Sequence, residues 1–157
     1  MRGGRGGFSL MELLIVTAMI SMICGMGFLR LGDSLAEYEL SAAALELASD
    51  LRYLQQVSVN SPESAGGSFY LLTFDHASGA GYYISAAAKN VKRGLFPDSV
   101  RLANLPLSVS FSPNGTPSNA QAIALRSLRM NKKRYVIIAA VTGRVRISDT
   151  GTWEAGE

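Results

Sequence analysis

Residues 8–61 read FSLMELLIVTAMISMICGMGFLRLGDSLAEYELSAAALELASDLRYLQQVSVNS and contain no proline. The start is almost uncharged: Glu12 is its one acid, and from Leu13 to Leu29 there is no charge. A helix from Phe8 to Leu29 would span roughly 33 Å at about 1.5 Å per residue, enough for a hydrocarbon core of roughly 30 Å. Beyond it, Leu31, Leu35, Tyr38, Ala42 and Leu45 recur at alternating spacings of four and three. A second stripe, Leu40, Ala44, Leu47, Leu51 and Leu54, continues that pattern. The spacing predicts one long helix, apolar throughout over residues 8–30 and amphipathic over residues 31–61. It should stop at Asn60-Ser61-Pro62, because proline lacks the N–H that would carry the helix on. Gly25, Gly27 and Gly32 are the positions where it could bend.

After Pro62 the texture changes to short β-like runs separated by turn residues. Strands are expected at about 68–74, 81–86, 99–102, 107–111, 123–130, 135–141 and 144–148. His76 to Gly79, Pro97-Asp98, Pro113-Asn114-Gly115 and Thr142-Gly143 are the breakers between them. The expected fold class is α+β: the long helix packed on a small, mostly antiparallel β-sheet domain over residues 62–157, each covering the other's apolar face. At 157 residues there is room for one such domain and one appended element, and none for a large multidomain enzyme. Apolar residues make up 48% and charged residues 17%, which excludes generic disorder. With one cysteine, Cys24, and one histidine, His76, a single chain can form neither an internal disulfide nor a Cys/His zinc set.

Arg2 and Arg5 precede the apolar run, whereas Arg30 on its far side is followed by Asp33, Glu37 and Glu39. The positive-inside rule then keeps the N-terminus cytoplasmic and sends the remainder out, making a single-pass inner-membrane protein with an extracytoplasmic domain. A cleaved secretory signal would need a shorter apolar core and a small-x-small site, and a lipoprotein signal would need a small residue where Ile23 precedes Cys24. A plain anchor, tethering an extracytoplasmic enzyme or binding domain that never assembles, is an alternative that leaves Glu12 unexplained. A carboxylate in lipid costs a few kcal/mol and marks a functional position that needs a partner.

The run Gly7-Phe8-Ser9-Leu10-Met11-Glu12-Leu13-Leu14-Ile15-Val16 resembles the processing site of type IV prepilins and type II secretion pseudopilins. That resemblance implies a leader, residues 1–7, removed between Gly7 and Phe8 by a prepilin peptidase that also N-methylates Phe8. It makes Glu12 the fifth mature residue, and it implies assembly with other pilin or pseudopilin subunits through an inner-membrane platform. The physics agrees: cleavage frees a cationic amine on Phe8 that can lie beside Glu12 of a neighbouring subunit. Residues 45–60, the Ser112-Pro113-Asn114-Gly115 turn and Gly143-Arg144-Val145-Arg146 resemble the H-type minor pseudopilin (GspH/FimT) family, with competence pseudopilins as the nearest alternative. Leu29 stands where major type IVa pilins often carry proline.

No enzymatic constellation stands out, so no catalytic residue, cofactor or metal site is expected. His76 lies in a turn with no Gly-x-Ser-x-Gly elbow elsewhere, and Gly79-Ala80-Gly81 and Gly66-Gly67 lack the rest of any nucleotide loop. Charge is polarised instead. From Asp33 to Asp98 there are eight acids against four bases, while Ser99 to Ser148 holds eight bases and no acid. Those bases would meet either the acidic stretch of a neighbouring subunit or the phosphates of DNA. The candidates for DNA are Lys132, Lys133, Arg134, Arg144 and Arg146, the last two sharing one side of a strand whose Val145 and Ile147 face the core. A Gly-Arg-x-Arg ending also resembles that of FimT-type pilins associated with DNA uptake.

Overall fold

The computed structural model describes residues 9–60, 70–86 and 89–151, with backbone alone for residues 26–31. One helix, α1 (Leu10–Asn60), precedes seven strands: β1 (Tyr70–Phe74), β2 (Gly81–Ala86), β3 (Lys89–Leu95), β4 (Val100–Leu102), β5 (Gln121–Ser127), β6 (Lys133–Ile138) and β7 (Val145–Ser148). They form two antiparallel sheets, ordered β1-β2-β3 and β4-β5-β6-β7. The α+β architecture, a long helix packed on antiparallel sheets, is as the hydrophobic spacing predicts. The chain divides into two compact units, residues 1–35 and 36–157.

In the first unit Ser9 caps the helix: its Oγ accepts the Met11 N–H at 3.3 Å, and its carbonyl accepts the Glu12 N–H at 3.0 Å. The cap and an acid three residues later are the spacing of a capping box. The described side chains from Leu10 to Gly25 are exposed all round. Among the described residues no helix is long and apolar enough to cross a membrane, so the transmembrane expectation for residues 8–30 draws no support from the structure.

In the second unit only one of the two apolar stripes is core. Leu40, Ala44, Leu47, Leu51 and Leu54 are buried against the sheets, whereas Tyr38 and Leu45 are 71% and 59% exposed. Each buried leucine contributes about 1.5–3 kcal/mol by leaving water. Facing the stripe are Leu72, Ile84, Val109, Ile123, Leu125, Val136 and Ile138.

Two strand expectations are corrected. Residues 107–111 form no strand but touch the first sheet through a single bridge, the Leu72 and Val109 backbones exchanging hydrogen bonds of 2.8 and 2.9 Å. Pro106, Pro113 and Pro117 around this segment remove the donors a longer ladder needs. Conversely β3 was not foreseen. It is an edge strand, exposed at every position but Gly94, and its Lys89, Lys92 and Arg93 are residues that edges use against unwanted pairing. Gly94 is fixed by a close approach: it pairs with Tyr82, and a Cβ there would collide with the Tyr82 ring.

Candidate functional site

Gly7 and Phe8 lie outside the described residues, so the expected cleavage site has no structural description. Glu12 lies in the first turn of α1, exposed and surrounded by exposed Leu10, Met11, Leu13 and Leu14.

The five candidate phosphate-binding cations do not form one cluster. Lys132 Nζ donates to Glu37 Oε1 at 2.9 Å, and the Arg134 guanidinium sits 3.1 Å from Asp149. The hydrogen bond and charge of Lys132 hold the Glu37 carboxyl below its ordinary value. These residues line a depression with Asn131 and Lys133. Lys133 is also opposite Arg126, which is opposite Arg101, so three cations stand in one row across β4, β5 and β6. Directly opposed like charges repel, and such a row is retained against a cost in sheet stability. Arg101 directs its guanidinium to the carbonyls of Pro97 and Val100 at 3.2 and 2.7 Å, whereas Arg126 and Lys133 are exposed. On β7 the alternation is as expected: Val145 is buried and Ile147 packs on the core, with Arg144 exposed and Arg146 half-buried on the other side.

Three acids of the helix, Glu37, Glu39 and Asp50, are engaged within the chain. Besides Glu37, Glu39 accepts a hydrogen bond from the Ser99 hydroxyl. Asp50, buried, accepts the Tyr82 hydroxyl at 2.7 Å on one oxygen and Lys92 Nζ at 2.5 Å on the other. This network escaped the sequence reading. Its signal was present, a lone carboxylate three residues after Leu47 and beside Leu51 on the buried stripe. At the other end of the domain, Gln55 Nε2 donates to Gly115 O at 2.8 Å and lies 3.5 Å from Thr142 O, so both turn motifs meet the helix at one side chain. Among the described residues no three His, Cys, Asp or Glu side chains converge on a metal-sized site.

The long helix and two antiparallel sheets make this a type IV pilin-like fold. No family model matches the chain, and no curated protein matches it. Among solved structures it is similar to the type IV minor pilin FimU of Pseudomonas aeruginosa strain PAO1, in two crystal forms. One has a TM-score of 0.56 at 18% identity, covering 71% of this chain and 90% of that one. The other has a TM-score of 0.53 at 18% identity, covering 69% of this chain and 92% of that one.

Proposed function

We propose that the chain is a structural minor pilin or pseudopilin of the H type, cut between Gly7 and Phe8 by a prepilin peptidase and methylated on Phe8. It enters a type II secretion pseudopilus or type IV pilus-like filament through an inner-membrane platform. Before assembly, residues 8–30 hold it in the inner membrane with the domain outside. The observation that carries this reading is the helix from Leu10 to Gly25, exposed and apolar apart from Glu12 and the hydroxyls of Thr17 and Ser21, which bond back to carbonyls of their own helix, followed by a pilin-like domain. Lipid covers such a surface before assembly and neighbouring helices cover it afterwards, when Glu12 meets the Phe8 amine of the next subunit.

Two measurements test it. The intact mass of the protein extracted from cells with an active prepilin peptidase should correspond to a chain starting at N-methyl-Phe8. In Glu12→Val the more apolar segment still inserts, while crosslinking to other subunits falls by roughly tenfold or more. Retention of Met1 in those cells, or unchanged crosslinking in the variant, would discard the reading.

DNA binding is the second reading, favoured by one observation: Arg126 and Lys133 stand opposite each other on β5 and β6, both exposed, in the row of cations that Arg101 continues. Contacts to phosphate give sequence-independent affinity that falls steeply with salt. In the full chain held in detergent, Arg144→Ala with Arg146→Ala should weaken duplex binding at low salt far more than Lys89→Ala. Equal binding after the double change would return the basic face to subunit contacts.

A further inference from the structure

Residues paired across neighbouring strands share a face of the sheet, so the pairing of β5, β6 and β7 separates two surfaces. Ile123, Leu125, Val136 and Val145 lie on the core side. The opposite face carries Arg126 beside Lys133, then Ala124 beside Tyr135, then Ile137 beside Arg146. Among the described residues no carboxylate pairs with Arg126 or Lys133. Ala124 and Ile137 are nonetheless 5% and 4% exposed, although they point away from the core. This face therefore has a covered apolar centre flanked by bare cations.

The chain turns onto the same face as it leaves β7. Ser148 stands beside Tyr135 there, and its Oγ accepts the Thr150 N–H at 3.2 Å. At Gly151 the backbone meets the Tyr135 ring: a Cβ would stand 2.8 Å from Cε1 and 3.2 Å from Cζ. Thr152-Trp153-Glu154-Ala155-Gly156-Glu157 follow, with two carboxylates and the one tryptophan of the chain. Along β6 Lys133 is two residues from Tyr135, about 7 Å, and Arg126 lies about 5 Å across from Lys133. Three extended residues reach about 10 Å, which brings Glu154 from Gly151 to this pair, and Glu157 has about twice that reach.

We propose that residues 152–157, which lie outside the described residues, dock on this face of their own chain as an acidic cover, with Trp153 against Tyr135 and Ala124 and with Glu154 and Glu157 on Arg126 and Lys133. The carboxylates relieve the repulsion between two directly opposed cations. Each exposed ion pair is weak, but the tether makes the contact intramolecular and raises the effective concentration of the segment to the millimolar range. An aromatic pair of tryptophan and tyrosine adds apolar contact that salt does not screen. A polyanion reaches this pair of cations only by displacing the segment. The inference stands whether or not that polyanion is DNA.

Trp153 is its own probe, in the full chain held in detergent. Its fluorescence should be quenched by acrylamide at least about twofold less than in Glu154→Lys with Glu157→Lys, because docking hides the ring. Arg126→Glu with Lys133→Glu should expose Trp153 to the same extent, and the four changes together should restore the protection. Lys89→Glu, on the other sheet, should leave it unchanged. Equal quenching in the parent and in the Glu154→Lys, Glu157→Lys variant overturns the proposal, as does a fourfold variant that stays exposed. Protection that fades on dilution assigns the segment to a second copy of the chain and overturns it too. A protected Trp153 in a chain that binds no duplex supports the proposal while removing the DNA reading.

Discussion

Replacing Gly143 by alanine is expected to destabilise the domain by about 3 kcal/mol, lowering its melting midpoint by roughly 10 °C. Two effects add. Gly143 has φ +64°, a left-handed conformation that costs an L side chain about 1–2 kcal/mol. A Cβ there would also overlap Gly115 O and lie 2.6 Å from Gln55 Nε2, breaking the hydrogen bond that joins helix and turn. Gly79→Ala is the control: its φ is +61°, but the nearest atom to its Cβ is 3.8 Å away, so only the backbone cost applies. Thermal unfolding of both variants separates the effects, and equal losses would show that Gln55 and Gly115 have room to give. The residue matters to function because the turn at Gly143 sets the register of β7. Arg146 faces Ile137 and Val145 faces Ile138 only if the chain reverses there.

The helix was legible in the sequence because its period and its lack of proline needed no tertiary information. Which apolar stripe it buries was not. The stripes through Tyr38 and through Leu40 both repeat at spacings of three and four, and only the sheets decide between them. β3 was illegible for the opposite reason: Lys89, Asn90, Lys92, Arg93 and Gly94 are poor strand formers, and the strand exists because β2 offers it a partner. At the candidate site, the alternation of Arg144 and Arg146 with Val145 and Ile147 could be read from period two alone. The pairing of Lys132 with Glu37, 95 residues away, could not. Ser9 and Glu12 are a further lesson, since an acid at this spacing from a cap also serves the helix start. The Glu12→Val test therefore reads crosslinking beside insertion, because a lost cap would lower both.

Asp50→Ala is expected to cost about 2–3 kcal/mol, because it leaves the Tyr82 hydroxyl without its acceptor in the core. Tyr82 is 1% exposed, packed between Phe74 and Phe96 at centroid distances of 6.4 and 5.6 Å, so water has little access to the orphaned group. Lys92 is less demanding, since its side chain is 45% exposed and can return to solvent. Asp50→Asn keeps an oxygen for the hydroxyl and should cost about 1 kcal/mol. Burial first, then the hydrogen bond and charge of Asp50, push the Tyr82 hydroxyl far above the ordinary tyrosine value. The folded state thus favours the neutral phenol, and this contribution is fully present below the unfolded value of about 10 and declines as pH rises past it. Tyr82→Phe should therefore lose about 1 kcal/mol near neutrality but fall less steeply than the parent above pH of about 10. Denaturant unfolding of the two proteins from pH 7 to 11 gives the difference directly, the other tyrosines being common to both. Parallel curves across that range would mean that Tyr82 ionises as readily in the fold as in the unfolded chain, and that the contact between α1 and β2 is not the buried network described above.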